Sequence, residues 1–235
     1  MTEWFEEWFG EEYLALYPHR DDREAEELVA LIRRTIPIQS LTRVLDVACG
    51  AGRHARAFAA SGLVPIGVDL SRHLLERARA SSLPVARADM RALPIRNQSV
   101  ELAVNLFTSF GYFADDADHQ EALCQMIATV RPGGWFVFDF LNAAGVRTSL
   151  ADRPADSSGS ASDKWLHDNG RFVVKMIVGR DGRQFMERVR LFDSQELIAM
   201  IQIAGARVVH QFGDYRGGPA DATAPRVLLF AQAGL

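Results

Sequence analysis

Apolar residues along this chain fall into three successive patterns. Up to Pro37 they recur at helical spacing. Trp4, Phe5, Trp8 and Phe9 are followed by Tyr13, Leu14 and Tyr17, and after Pro18 a second helix carries Ala25, Leu28, Leu31 and Ile32 on one face. From Arg43 onward, short apolar runs alternate with helical stretches. Strands are expected at 44–47, 63–68, 85–88, 100–107 and 135–141, and helices at 53–60, 71–80 (with Ser71 as N-cap) and 116–130. Several of these strands are apolar on both faces, as a parallel sheet covered by helices requires. The alternation predicts a doubly wound α/β fold. The third pattern begins with residues 148–163, rich in Ser, Ala and Asp, which read as a loop. Antiparallel strands turning at Asp181-Gly182 are expected over 165–191, then a helix opened by Asp193 with Glu196 as a capping box, and strands at 206–212 and 226–232.

Composition narrows the class without naming a function. With 18 Gly and 9 Pro in 235 residues, collagen-like and low-complexity readings fall away. No apolar run approaches the roughly 18 residues of a membrane helix. The start lacks the pattern of a secretory signal. Two cysteines form no disulfide framework, so a cytoplasmic setting is expected. A net charge of -4 without a basic stripe argues against a nucleic-acid partner. Residues 1–27 hold ten acids against Arg20 and Arg23, read as a solvated acidic face. Of the 26 basic residues only Lys164 and Lys175 are lysines, a bias read as one of genome composition.

The chemistry concentrates in Asp46-Val47-Ala48-Cys49-Gly50-Ala51-Gly52-Arg53-His54-Ala55. A glycine-rich turn between strand and helix lets a ligand approach the backbone, and the free N–H groups at the helix start face its polar part. The second strand ends in Gly67-Val68-Asp69, 19 residues after Gly50, where a carboxylate can accept from vicinal ribose hydroxyls. The third is followed by Ala88-Asp89-Met90, which puts three acids at consecutive strand ends. The six histidines lack metal-ligand spacing, so no metal is expected. Cys49 lies within the glycine-rich turn. Glu187-Arg188-Val189-Arg190 is read as an exposed alternating face with anionic-substrate binding as the second reading, and Gly213-Asp214-Tyr215-Arg216 as a turn or a pocket rim.

Residues 44–52 resemble the first motif of the class I S-adenosylmethionine-dependent methyltransferases. Gly67-Val68-Asp69-Leu70-Ser71 resembles that family's acidic second-strand end, Ala88-Asp89-Met90 its adenine-contacting turn, and Val130-Arg131-Pro132-Gly133-Gly134-Trp135 its turn into the fifth strand. The resemblance implies a seven-stranded, mostly parallel sheet with an antiparallel last strand pair. An N-terminal helical cap is expected over 1–37 and a domain over 38–235, with a small β insert at about 164–191. It implies S-adenosylmethionine as cofactor and S-adenosylhomocysteine as product. Asp46, Ala48, Cys49, Gly50 and Gly52 would cradle the methionine part and ribose. Asp69 with Leu70 would hold the ribose, Asp89 with Met90 the adenine, and Asn105 and Leu106 the sulfonium end. The Asn/Asp-Pro-Pro-Tyr/Phe run of amino-methylating enzymes for DNA bases and protein glutamine is absent, since 105–113 reads Asn-Leu-Phe-Thr-Ser-Phe-Gly-Tyr-Phe.

A small-molecule nitrogen or oxygen acceptor is therefore expected, met by Thr108, Phe110, Tyr112 and Asn142. The turn Tyr17-Pro18-His19-Arg20 and the insert beginning near Trp165 would act as a lid. No catalytic residue is singled out. No nucleic-acid or membrane partner is expected, and the protein would be a monomer or homodimer. A nicotinamide-dependent oxidoreductase stays open, because Gly50-Ala51-Gly52-Arg53-His54-Ala55 also satisfies G-x-G-x-x-G/A. So does a non-catalytic S-adenosylmethionine-binding module.

Overall fold

The computed structural model describes Phe9 and residues 22–151, 164–178, 182 and 184–234. The strands β1 (Arg43–Val47), β2 (Val64–Asp69), β3 (Val85–Arg87), β4 (Val100–Asn105) and β5 (Val130–Leu141) pair in parallel. Two late strands, β9 (Ala206–Phe212) and β10 (Arg226–Ala233), complete a seven-stranded sheet of order β3-β2-β1-β4-β5-β10-β9, in which β10 is antiparallel to both neighbours. The order reverses between β1 and β4, and ligands of open α/β sheets bind at such a switch point. A separate antiparallel sheet joins β6 (Lys164–His167), β7 (Phe172–Val178) and β8 (Gln184–Arg190).

Alternation along the central strands builds two apolar layers. Leu102, Val104, Val137 and Phe230 meet α1 (Asp22–Thr35) and α2 (Arg53–Ala60) through Leu28, Ile32 and Phe58. Ala103, Phe136, Phe138 and Leu229 meet α4 (Asp116–Ala128) and α6 (Ser194–Ile203) through Leu123, Met126 and Leu197. The helix α3 (Arg72–Ala80) follows β2, with Ser71 accepting from the Leu74 N–H as its N-cap. Residues 22–35 of the expected cap thus form a helix buried against the sheet. Residues 1–21, apart from Phe9, lie outside the described residues.

β2 and β3 each differ from the sequence reading by a residue, and three larger differences have a structural cause. The segment 148–163 begins inside a helix, α5 (Ala143–Leu150), and residues 152–163 lie outside the described set. β4 stops at Asn105 rather than at 107, because Phe107 (φ 59°) and Thr108 (φ 62°) leave the extended region. The helix expected to reach 130 stops at Ala128, and β5 takes in Pro132-Gly133-Gly134 through a register shift against β4. The Asp193–Glu196 capping box forms, with the Asp193 N–H donating to the Glu196 carboxylate at 2.7 Å.

The insert docks where Gly111 (φ 93°) accepts from the Arg190 N–H at 2.8 Å. A Cβ at Gly111 would sit 2.9 Å from Val189 and 3.0 Å from the Arg190 carbonyl, so only glycine permits this approach. Arg190 is buried there beside Asp116 and Glu196, its guanidinium 4.4 Å from the centre of the Phe192 ring. Phe110 stands edge-on to Phe138 at 5.2 Å and beside Phe192 at 5.7 Å, joining insert and sheet in one core.

Candidate functional site

The carboxyl ends of β1, β2, β3 and β4 open into one cavity of about 780 Å³, within the range of small-molecule sites. Its floor is the turn after β1, where Ala48 (φ 59°), Gly50 (φ 55°) and Gly52 (φ 81°) all adopt left-handed backbone. A Cβ on Gly50 would meet only Leu74, at 3.8 Å, so the turn is open to an approaching molecule. Asp69 fastens it. One carboxylate oxygen accepts the Gly50 N–H and the other the Ser71 N–H, both at 2.8 Å. Beneath, Cys49 presses on Gly67, where a Cβ would come within 2.6 Å of its sulfur. Burial pushes the Cys49 thiol up, with Asp46 and Asp69 adding to the shift, so it stays protonated and inert.

The three strand-end acids have different surroundings. Asp69 and Asp89 line the cavity, whereas Asp46 lies under the turn, 1% exposed, with one oxygen unpartnered. Burial, and then the charge of Asp69, raise the Asp46 carboxyl to about 7 against the opposing pull of Arg53 and the Ala55 N–H. Burial also raises Asp69, against the N–H groups of Ser71, Gly50 and Leu70. Burial works the same way on Asp89 but is outweighed by Arg91, whose side chain and N–H hold it below the ordinary range. Arg91 grips Asp89 with contacts of 2.7–3.1 Å, pairs with Asp118 and lies over Phe113.

Of the other residues expected at the cofactor, Ala48, Cys49, Gly50, Leu70, Met90 and Leu106 line the cavity. Gly52 and Asn105 stand behind the wall. A Cβ on Gly52 would strike Leu83, and Asn105 is fully buried, donating to the Val47 carbonyl at 3.0 Å. On the acceptor side Thr108, Phe110 and Tyr112 line the cavity. Tyr112 donates to the Thr108 carbonyl at 2.7 Å and packs on Phe9, with ring centres 5.6 Å apart. Phe9 itself lines the cavity, and its carbonyl accepts from the Ser71 hydroxyl. Asn142 and Trp165 are not among the lining residues. Asn142 precedes α5 without a side-chain capping bond and donates to the Asp221 and Ala224 carbonyls, while Trp165 sits on the insert strand β6 opposite Val174. Tyr17, His19 and Arg20 lie outside the described residues.

Sequence reasoning missed a second support. Asp139, buried in the apolar run of β5, accepts the Phe107 N–H at 2.9 Å, the Tyr215 hydroxyl at 2.8 Å and Arg226 at 2.8 Å. It holds Phe107 and Thr108 in their left-handed conformation, which costs about 1–3 kcal/mol per residue. Arg53 and Arg226 face the Phe107 ring at 4.0 and 5.6 Å. The signal was an acid inside Trp-Phe-Val-Phe-Asp-Phe-Leu. The 213–216 segment therefore does more than turn, since Tyr215 is buried on Asp139. His54 also lines the cavity, its Nε2 without a hydrogen-bond partner. Burial and then Arg53, Arg226 and Arg56 push its pKa well down, so it is neutral.

The switch-point turn, the acids at the ends of β2 and β3 and the antiparallel β10–β9 end define a doubly wound fold, with no second βαβαβ half among the described residues. Residues 44–134 match the family described as a methyltransferase domain. The chain is 34% identical over 119 residues to a dTDP-3-amino-3,6-dideoxy-alpha-D-glucopyranose N,N-dimethyltransferase of Streptomyces fradiae, covering 50% of this chain and 46% of that protein. It is 33% identical over 103 residues to a ubiquinone biosynthesis O-methyltransferase of Bordetella avium, covering 43% of each. The matches thus span about half the length of these relatives. The CcbJ methyltransferase from Streptomyces caelestis shares the fold, with a TM-score of 0.77 at 18% identity over 97% of this chain and 98% of that one. The open Gly50 turn beside Asp69 fits the nucleoside of S-adenosylmethionine, and the buried Asp46 with the half-buried Asp69 suits a cationic ligand.

That pair gives the site a pH dependence. As pH rises through about 7, Asp46 loses its proton and the site gains negative charge. S-adenosylmethionine carries a sulfonium charge that S-adenosylhomocysteine lacks. The ratio of their affinities should therefore rise about three- to tenfold from pH 6 to pH 8, and Asp46→Asn should flatten it. Calorimetry giving a pH-independent ratio for the unmodified protein would remove Asp46 from cofactor recognition.

Proposed function

We propose that the protein transfers a methyl group from S-adenosylmethionine to a nitrogen or oxygen of a small-molecule acceptor by direct in-line displacement. The observation that carries this reading is one cavity lined both by Asp69 and Asp89 and by Phe110, Tyr112 and the insert. That arrangement suits two molecules side by side. The bound cofactor supplies a sulfonium leaving group, so no covalent enzyme intermediate is needed.

The chain's own task is to bind, orient and exclude water. Asp69 accepts from the ribose hydroxyls with the lone pairs left by Gly50 and Ser71. Asp89 and the Met90 backbone face the adenine edge. The Ala48–Gly50 turn flanks the methionine part, and Asp46, Gly52 and Asn105 act from behind by keeping that turn in shape. Leu106 borders the sulfur, and Thr108, Phe110 and Tyr112 orient the acceptor. The names of the similar proteins, one an N,N-dimethyltransferase and one an O-methyltransferase, support a nitrogen or oxygen acceptor. A cytoplasmic monomer or homodimer acting on small molecules fits two free cysteines and the lack, among the described residues, of a helix long and apolar enough to cross a membrane.

The cap expected over 1–37 narrows in this reading to the segment that carries Phe9, since residues 22–35 belong to the helical layer packed on the sheet. Phe9 over the cavity supports it.

Two measurements test these roles. Asp69→Ala should weaken S-adenosylhomocysteine binding by about 1.5–3 kcal/mol, the worth of hydrogen bonds to a charged group. In calorimetry that is roughly 10- to 150-fold, and wild-type affinity in a folded variant refutes the ribose assignment. Protein lacking residues 1–20 loses the Phe9 ring and should bind S-adenosylhomocysteine about 0.5–1.5 kcal/mol more weakly. Equal affinity of the truncated and full chains would dispose of the cap.

A further inference from the structure

The insert turns one face of β6–β8 toward the cavity, and two rows of side chains cross it. Leu166, Val173 and Val189 stand in register across the three strands and pack into the core. Two residues further from the joint at Gly111 comes a second row, Lys164, Lys175 and Glu187, again directly opposite one another, and all three line the cavity. These are the only lysines among 26 basic residues. A composition bias accounts for the scarcity of lysine but not for both lysines facing each other on one cavity wall. Like charges directly opposite in a sheet are destabilising, and only one of the two has a carboxylate across from it on β8. Such a row is tolerated at low cost where an anion shares it. Compact, mobile ammonium groups suit an anion held as a point charge, where arginine would impose a planar fork.

Away from the insert the cavity's charges already have roles or neighbours. Asp69 and Asp89 stand at the nucleoside end, Asp89 paired with Arg91, and Arg77 lines the cavity from α3. Arg53 stands beside the β1–α2 turn where the methionine part of the cofactor would lie. The insert wall is thus left for the second molecule. Resting on the methyltransferase reading above, we propose that the methyl acceptor carries an anionic group, a carboxylate or phosphate, bound by Lys164 and Lys175. Val173 and Val189 cover its carbon skeleton. Glu187 offsets part of the Lys175 charge, so the row discriminates against cationic acceptors while still admitting one anion. The chemistry nearest the sulfur remains that of a nitrogen or oxygen nucleophile, and the anion sets which molecule presents it.

The test uses the full chain saturated with S-adenosylhomocysteine, with inorganic phosphate and acetate as separate probes. Reductive 13C-dimethylation keeps the positive charge and marks two lysine side chains besides the terminal amine. Saturable shifts of both lysine signals are expected, and the stronger of the two probes identifies phosphate or carboxylate. By calorimetry, the Lys164→Met, Lys175→Met double variant should lose anion affinity about tenfold or more, with S-adenosylhomocysteine affinity held within about twofold as the folding control. Absent shifts, or anion binding retained in the variant, overturn the proposal. A parallel fall in S-adenosylhomocysteine affinity in a folded variant also overturns it, by assigning the row to the cofactor. If the unmodified chain binds the anion at the lysines but never binds S-adenosylhomocysteine, the methyltransferase reading fails and the anion site stands.

Discussion

The Asp69 carboxylate accepts the Gly50 N–H with one oxygen and the Ser71 N–H with the other, and so fastens two strand-to-helix turns side by side at the switch point of the sheet. Both turns need it. The first runs through three residues in left-handed backbone, and the second must release its chain into α3 with Ser71 as cap. Gly67 lets Cys49 pack beneath, which keeps the first turn down and its upper face bare. Burial raises both carboxyl groups, and the charge of Asp69 adds to the rise of Asp46. A site that holds negative charge against burial is prepared for a cation.

Across the cavity a second buried acid does comparable work. Asp139 pins the Phe107 N–H and is itself held by Tyr215 and Arg226. The strained Phe107–Thr108 pair ends β4 and sends Phe110 into the core and Tyr112 to the cavity wall. Gly111 then admits the insert, whose inner face closes the acceptor side. Local strain, anchored by long-range bonds to one strand and one loop, thereby brings the insert to the wall of the cavity that the β1–α2 turn floors.

What could be read from sequence follows the range of the forces involved. The helix at 53–60, the Ser71 cap, the Asp193–Glu196 box and the strand at 206–212 obey rules that act within a few residues, and the structure contains each of them. The strand-end acids were legible as a set because strands in a parallel sheet end on the same edge, though not that Asp46 would turn beneath the loop while Asp69 and Asp89 face the cavity. The Asp139–Tyr215–Arg226 cluster joins residues 76 and 87 positions apart, and no periodicity carries that information. Asn142 stands at the strand edge its position suggested, but its amide is taken by the Asp221 and Ala224 carbonyls. Strand register alone brings Lys164 and Lys175 together, and register depends on turns that the composition of the insert does not specify.

The most direct measurement of the central claim is a crystal structure with S-adenosylhomocysteine bound. The account requires both ribose hydroxyls within hydrogen-bond distance of Asp69, the adenine edge at Asp89 and Met90, and the sulfur turned toward the part of the cavity lined by Tyr112 and the insert. A nucleoside bound elsewhere, or Asp69 still occupied solely by Gly50 and Ser71 with the ligand in place, would contradict it.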